Sequence, residues 1–158
     1  MYSGRDQLEQ FMREEFAFLV AQHGYLETLG KREAMFTVLY YSKQLLGFKV
    51  VLDYRDQTLY PDLIRPPAGL KPKVSYIVDN QVVRVPLLIL LEDMLHIADK
   101  KVTILAQTLG SGSLDFQGAL EGVVGLREII ERYLEMVETR PLSELFPSVE
   151  VFNHIMRS

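Results

Sequence analysis

Residues 34–64 read AMFTVLYYSKQLLGFKVVLDYRDQTLYPDLI, and this stretch decides the fold. From Ala34 to Ser42 the side chains alternate. Phe36, Val38 and Tyr40 share one side; Met35, Thr37, Leu39 and Tyr41 share the other. Both sets are apolar, as in a strand covered on both faces. Leu46 to Tyr54 alternates again, with Phe48, Val50 and Leu52 set against Lys49, Val51 and Asp53. A short polar turn, Arg55-Asp56-Gln57, leads into a third strand, Thr58 to Ile64. Pro61 has no N–H to give to a ladder, so an edge or bulged strand is expected there. Strands joined by such short turns form an antiparallel meander, because parallel strands need crossovers of a dozen residues or more.

Helical signals flank the meander. Upstream, Leu8, Phe11, Met12, Phe16, Leu19 and Val20 recur at three- and four-residue steps and predict one amphipathic helix over 7–23. Asp6 and Glu9 have capping-box spacing, and His23-Gly24 reads as its C-terminal end. Downstream, Arg65-Pro66-Pro67-Ala68-Gly69 is a stiff loop. The segment VSYIV-DN-QVVRV predicts a second hairpin about Asp79-Asn80. Pro86 to Asp99 reads as a buried helix opened by Pro86, with further sheet as the alternative. Leu109 to Ser113 is a flexible connector, after which Asp115 or Ser113 caps the longest helix, 116–138. Its core stripe is Leu120, Val123, Val124, Ile130, Tyr133, Leu134 and Val137. The tail 141–158 carries Leu142, Leu145, Phe146, Val149, Val151, Phe152 and Ile155, which predicts packing on the body or on a partner. The fold class is therefore α+β: a single domain over 1–158, its mostly antiparallel sheet covered by the N-terminal helix and the long C-terminal helix.

The totals exclude several chemistries. The chain has 158 residues, 48% hydrophobic and 24% charged. A domain of that size buries about 70% of the surface its unfolded chain exposes and needs no metal or disulfide to fold. There is no cysteine, which removes disulfides, thiolate nucleophiles and cysteine-based zinc sites. The net charge of −4 opposes duplex nucleic acid or an anionic membrane as main partner. The longest clean apolar run, Val85 to Leu91, is far short of the roughly 20 residues of a membrane span. The first residues, MYSGRDQLEQ, carry acids and no apolar segment, unlike a signal peptide, so a cytoplasmic location is expected.

Candidate chemistry is sparse. Glu92, Asp93, His96 and Asp99 would share one side of a helix and offer metal-type ligands. No second matching motif exists, so a solvated helix end is the commoner reading. Gly110-Ser111-Gly112-Ser113 precedes a helix but lacks the Gly-Lys-Ser/Thr ending of a phosphate loop. Asp53, Arg55 and Asp56 make a charged hairpin tip that reads as ordinary turn chemistry or as a recognition loop. Glu121, Glu128 and Glu135 recur every seven residues, with Glu131 and Glu138 close by. That acidic edge is either a solvated face or a docking surface for a basic protein.

The helix LEQFMREEFAFLV, the strands FTVLYYSKQ and LGFKVVLDYRDQTLYPDLI, and the late amphipathic helix together resemble a diverse group of small bacterial α+β proteins. Some of these are immunity proteins of polymorphic toxin systems. The similarity spans about residues 5–140 and rests on the aromatic helix end (Phe16, Phe18), the paired Tyr40 and Tyr41, and the Asp53-Tyr54-Arg55-Asp56 turn. It implies a protein partner and carries no catalytic residues. The expectation is a non-catalytic protein-binding module, an immunity-like inhibitor or adaptor, with no cofactor and no metal. Its candidate contact residues are Glu121, Glu128, Glu131, Glu135, Asp53, Arg55 and Asp56. Two other classes stay open. One is a self-associating structural protein using the tail or strand 34–42; the other is a small-molecule binder or enzyme using Asp93 and His96.

Overall fold

The computed structural model describes residues 4–70, 75–112 and 114–157. Its centre is the predicted meander. Strands β2 (Phe36–Ser42), β3 (Gly47–Asp53) and β4 (Thr58–Ile64) pair antiparallel in unbroken register, with Tyr41 opposite Phe48 and Phe48 opposite Leu63. Two short neighbours extend the sheet. Strand β1 (Leu26–Arg32) adds to β2 with a bulge between Leu29 and Lys31, and β7 (Arg84–Pro86) adds to β4. The order is β1-β2-β3-β4-β7. Strand β2 is therefore interior and buried on both faces, so the surface proposed for self-association at 34–42 is covered.

Pro61 does not mark an edge strand. β7 pairs only with Asp62–Ile64, so β4 has no outer neighbour at Pro61, and the missing N–H costs nothing there. Asp79 and Asn80, with φ of 49° and 62°, turn the predicted hairpin between β5 (Ile77–Val78) and β6 (Gln81–Val82). The strand expected at Val74 and the cap expected at Ser113 lie outside the described residues.

One sheet face carries Leu39, Tyr41, Phe48, Val50, Leu52, Leu59 and Leu63 into the main core. The expected N-terminal helix covers it as two pieces, α1 (Arg5–Glu15) and α2 (Ala17–His23). Phe16 breaks the helix and turns its ring onto Tyr41, with centroids 5.6 Å apart. The capping box is not formed. Gly4 takes the cap position with no side-chain bond, and Glu9 is buried in an ion pair with Arg32 of β1. A distant cation outcompetes the local N–H because it meets a full charge.

Residues 86–99 do not form one helix. A single turn, α3 (Leu87–Ile89), runs into a π-type turn over Leu90–Met94, closed by Leu95 N–H on the Leu90 carbonyl at 2.9 Å. Leu87, Leu90 and Leu91 are buried by this wider turn. Helix α4 (Lys100–Gly110) follows, so Leu109 and Gly110 are helical rather than part of a flexible connector. The long helix α5 (Phe116–Thr139) has the predicted Asp115 cap, whose carboxylate accepts from Gly118 N–H at 2.6 Å. The tail packs on the body as α6 (Leu142–Leu145) and α7 (Val149–Arg157): Leu145, Phe146 and Phe152 are buried, and Phe152 meets Tyr76 at 5.6 Å.

The second sheet face has its own small cluster, Val38, Tyr40 and Ile64. Tyr40 lies flat over β1 because position 30 is glycine; a Cβ there would sit 2.2 Å from the ring. Beside the cluster the face is charged. Tyr40, Lys49 and Asp62 are cross-strand neighbours, and Lys49 and Asp62 are only 6% and 4% exposed. Arg84 pairs with Asp62 at 2.9 Å and lies over the Tyr76 ring at 4.0 Å.

Candidate functional site

Helix α5 sets up the site. Its buried stripe, Ala119, Gly122, Val123, Leu126, Ile129, Ile130, Leu134 and Val137, fixes which side faces water. Glu121, Glu128, Glu131 and Glu135 are consequently all exposed. Helix α4 lies against α5 through Val102, Leu105 and Leu109. Asp99 ties the two together. Its carboxylate caps α4 by accepting from Lys101 N–H at 2.9 Å, and it also accepts from Arg132 Nη1 at 2.8 Å and from the Tyr133 hydroxyl. The Tyr133 hydrogen bond, then the Lys101 N–H and Arg132, hold the Asp99 carboxyl below the usual carboxylate range.

Between the helices runs an open groove of about 320 Å³. Ile104, Leu105 and Ile129 supply apolar wall, Gly118, Gly122 and Gly125 lie along it, and Lys101, Glu121 and Glu128 also line it. Ile104 is 59% exposed, a large apolar side chain pointing out of a helix whose Val102, Leu105 and Leu109 are buried. Gly125 is not demanded by internal packing. A methyl there would meet nothing closer than Leu105 Cδ1 at 3.5 Å, ordinary contact.

The structure divides the predicted acidic edge. Glu121 and Glu128 line the groove; Glu128 has only a loose pairing with Lys101 at 3.7 Å, and Glu121 accepts from Gln117 at 3.3 Å. Glu135 continues the ridge two turns on. Glu131 belongs to the other flank, paired at 3.1 Å with Arg127, whose guanidinium lies over the Phe18 ring. The hairpin tip comes near the groove's helices. Asp53 accepts from Asp56 N–H at 2.8 Å, and Gln57 accepts through its carbonyl from Leu114 N–H at 2.7 Å, just before α5. Arg55 stays exposed, 3.5 Å from Asp56.

Asp93 and His96 do not share a helix face. His96 follows the π-type turn with φ of 56°, exposed, and Ile97 N–H returns to the Leu91 carbonyl. Among the described residues no group of three or more His, Asp or Glu side chains is arranged to hold a metal ion. Nor is any described helix long and apolar enough to cross a membrane.

The α4 wall was missing from the sequence reading. Its signal is present: Asp99 as cap, then Val102, Leu105 and Leu109 at helical steps. Comparison with protein-family models, with curated proteins and with solved structures finds no match for this chain.

Proposed function

We propose that this chain is a non-catalytic, cytoplasmic protein-binding module, an immunity-like inhibitor or adaptor of a bacterial partner. Its working surface on this reading is the α4–α5 groove, and the occupant is a basic amphipathic segment of the partner. One observation carries the reading: an open apolar groove, with Ile104 exposed, is lined on one side by Glu121 and Glu128. Helix-in-groove recognition uses that chemistry, apolar anchors for affinity and opposite charges for orientation and approach. Glu121 and Glu135 have no cation within ion-pair distance among the described residues, so their charge is open to a partner's lysines or arginines.

The test compares capture by the wild-type chain with capture by Glu121→Lys/Glu128→Lys and by Ile104→Asp, followed by mass spectrometry. A specific partner retained by wild type, lost with both variants and released by salt is the expected outcome. The same proteins recovered with all three baits would remove the groove from consideration. A designed Lys/Leu amphipathic peptide gives a direct readout: its fluorescence anisotropy rises with wild type and stays flat with the charge reversal.

Gly125→Ala separates function from folding. Alanine in a helix interior is favoured over glycine by up to about 1 kcal/mol, and the added methyl has room. The variant is expected to melt higher while binding the partner more weakly, because the methyl occupies the groove floor. Unchanged binding by this variant would show that the partner sits elsewhere.

A further inference from the structure

Strand β1 ends the sheet, and its outer edge is open. The N–H and C=O groups that point away from β2 have no partner among the described residues. Such an edge is a template for another strand. Apolar side chains flank it. Leu26 is 67% and Leu29 41% exposed, and Val20 of α2 is 43% exposed. Val20 lines, with Ala17, Ala21 and Glu27, an open groove of about 510 Å³ between the N-terminal helices and β1.

The register decides which strand fits this edge. Glu27 and Leu29 share the helix-covered face, paired with Tyr41 and Leu39. Leu26, Thr28 and Gly30 lie on the other face, with Tyr40. Residues opposite each other in an antiparallel pair lie on the same face. Setting Thr28 opposite Thr28 of a second copy meets this condition throughout 26–30. Leu29 then falls opposite Glu27, at the mouth of the groove walled by Ala17, Val20 and Ala21. Leu26 falls opposite Gly30, which has no side chain to obstruct it. One patch supplies both knob and socket, as a two-fold contact requires. Charge does not oppose the match. Arg13 holds Glu27 at 2.7 Å, Lys31 holds Glu33 at 2.8 Å, and Arg32 holds Glu9, so the edge does not repel its own copy. We propose that β1 is a self-association edge: two copies pair their β1 strands antiparallel about a two-fold axis at Thr28 and join their sheets into one. The bulge after Leu29, together with Lys31, ends the ladder. The far edge strand, β7, spans only Arg84–Pro86, so the assembly closes at two copies. A short strand with one apolar flank is a small interface, and a reversible dimer is expected.

Sedimentation equilibrium over a concentration series tests this, with circular dichroism as the check on folding. Wild type is expected to show a monomer–dimer equilibrium. Leu29→Glu, which sets like charges face to face with Glu27, should weaken it by about tenfold or more. Leu26→Asp, at the most exposed of these positions, should fold and also weaken it. The chain has no cysteine, so single-cysteine variants report the register. Opposite Cβ atoms at the two-fold lie about 4.5–5.5 Å apart, near disulfide range. Thr28→Cys should therefore form a disulfide-linked dimer on mild oxidation, and Tyr60→Cys, exposed on β4, should not. A wild-type chain that stays monomeric at millimolar concentration overturns the proposal. So does a dimer that folded Leu29→Glu and Leu26→Asp chains both retain, or one in which Thr28→Cys links no better than Tyr60→Cys.

Discussion

Phe16→Ala should lower the free energy of unfolding by about 3–5 kcal/mol, the usual loss for a buried phenylalanine. Phe16 is 1% exposed and occupies the single non-helical position between α1 and α2. Its backbone still satisfies both helices. Its N–H reaches the Met12 carbonyl at 2.9 Å, and its carbonyl accepts from Leu19 N–H at 3.0 Å. What alanine removes is the ring, edge-on to Tyr41. An aromatic pair of that geometry adds about 0.5–1.5 kcal/mol beyond area burial. Tyr41 is itself fixed, donating to Glu27 at 2.9 Å, and Glu27 holds Arg13 at 2.7 Å. The ring therefore joins the helix break to the central strand, and few neighbours are free to collapse into its place. Small domains have only about 5–15 kcal/mol in total, so the loss should be plain in urea unfolding followed by circular dichroism. Phe16→Leu, which refills most of the volume, should recover the larger part. A Phe16→Ala cost below about 1.5 kcal/mol, below the range for such truncations, would show that α1 and α2 merge and close the gap.

The helix break was illegible for a reason that recurs elsewhere in the chain. A hydrophobic stripe at three- and four-residue steps continues through Phe16 unchanged, and only the approach of Tyr41, 25 positions away, bends the chain there. Glu9 behaves likewise: local spacing assigns it to a cap, but Arg32 takes it. The strands at 36–64 were readable because both sides of β2 are apolar and β3 sets Phe48, Val50 and Leu52 against Lys49, Val51 and Asp53. Strand β1, LETLGKR, escaped notice because it is a polar edge strand interrupted by a bulge at Gly30, with no apolar alternation to detect. The run Leu87 to Leu91 has no polar residue to mark a period, so helix, strand and π-type turn look alike. In the site, the heptad spacing of Glu121, Glu128 and Glu135 was visible along one helix. The groove was not, since it needs α4 beside α5. Lys49, Asp62 and Arg84 are spread over 36 positions of sequence, and only the sheet register assembles them.

That charged row yields the second large effect. Asp62→Ala should cost about 3 kcal/mol, near the lower end for breaking a buried ion pair. The loss comes from what remains. Arg84 would keep its charge with 18% of its side chain accessible, and Lys49 would keep a like charge nearby without the carboxylate between them. Stacking on Tyr76 softens the penalty for Arg84, which is why the upper end is not expected. The wild-type arrangement is itself costly. Burial pushes the Asp62 carboxyl up, against the pull of Arg84 and Lys49, and burial with the Arg84 charge pushes the Lys49 ammonium down. Replacing all three by Met, Leu and Met at 49, 62 and 84 should therefore be neutral or stabilising, although Asp62→Ala alone is damaging. The pH dependence has a definite sign. A carboxyl whose folded pKa is raised contributes stability that is full below the unfolded value of 3.8 and is lost as pH rises through the folded value. The wild type should thus gain stability relative to Asp62→Asn as pH falls through the folded pKa toward 3.8. Urea midpoints for wild type, Asp62→Asn, Asp62→Ala and the triple variant across that acid range decide the matter. A triple variant as unstable as Asp62→Ala would mean that the charged row itself holds the sheet together.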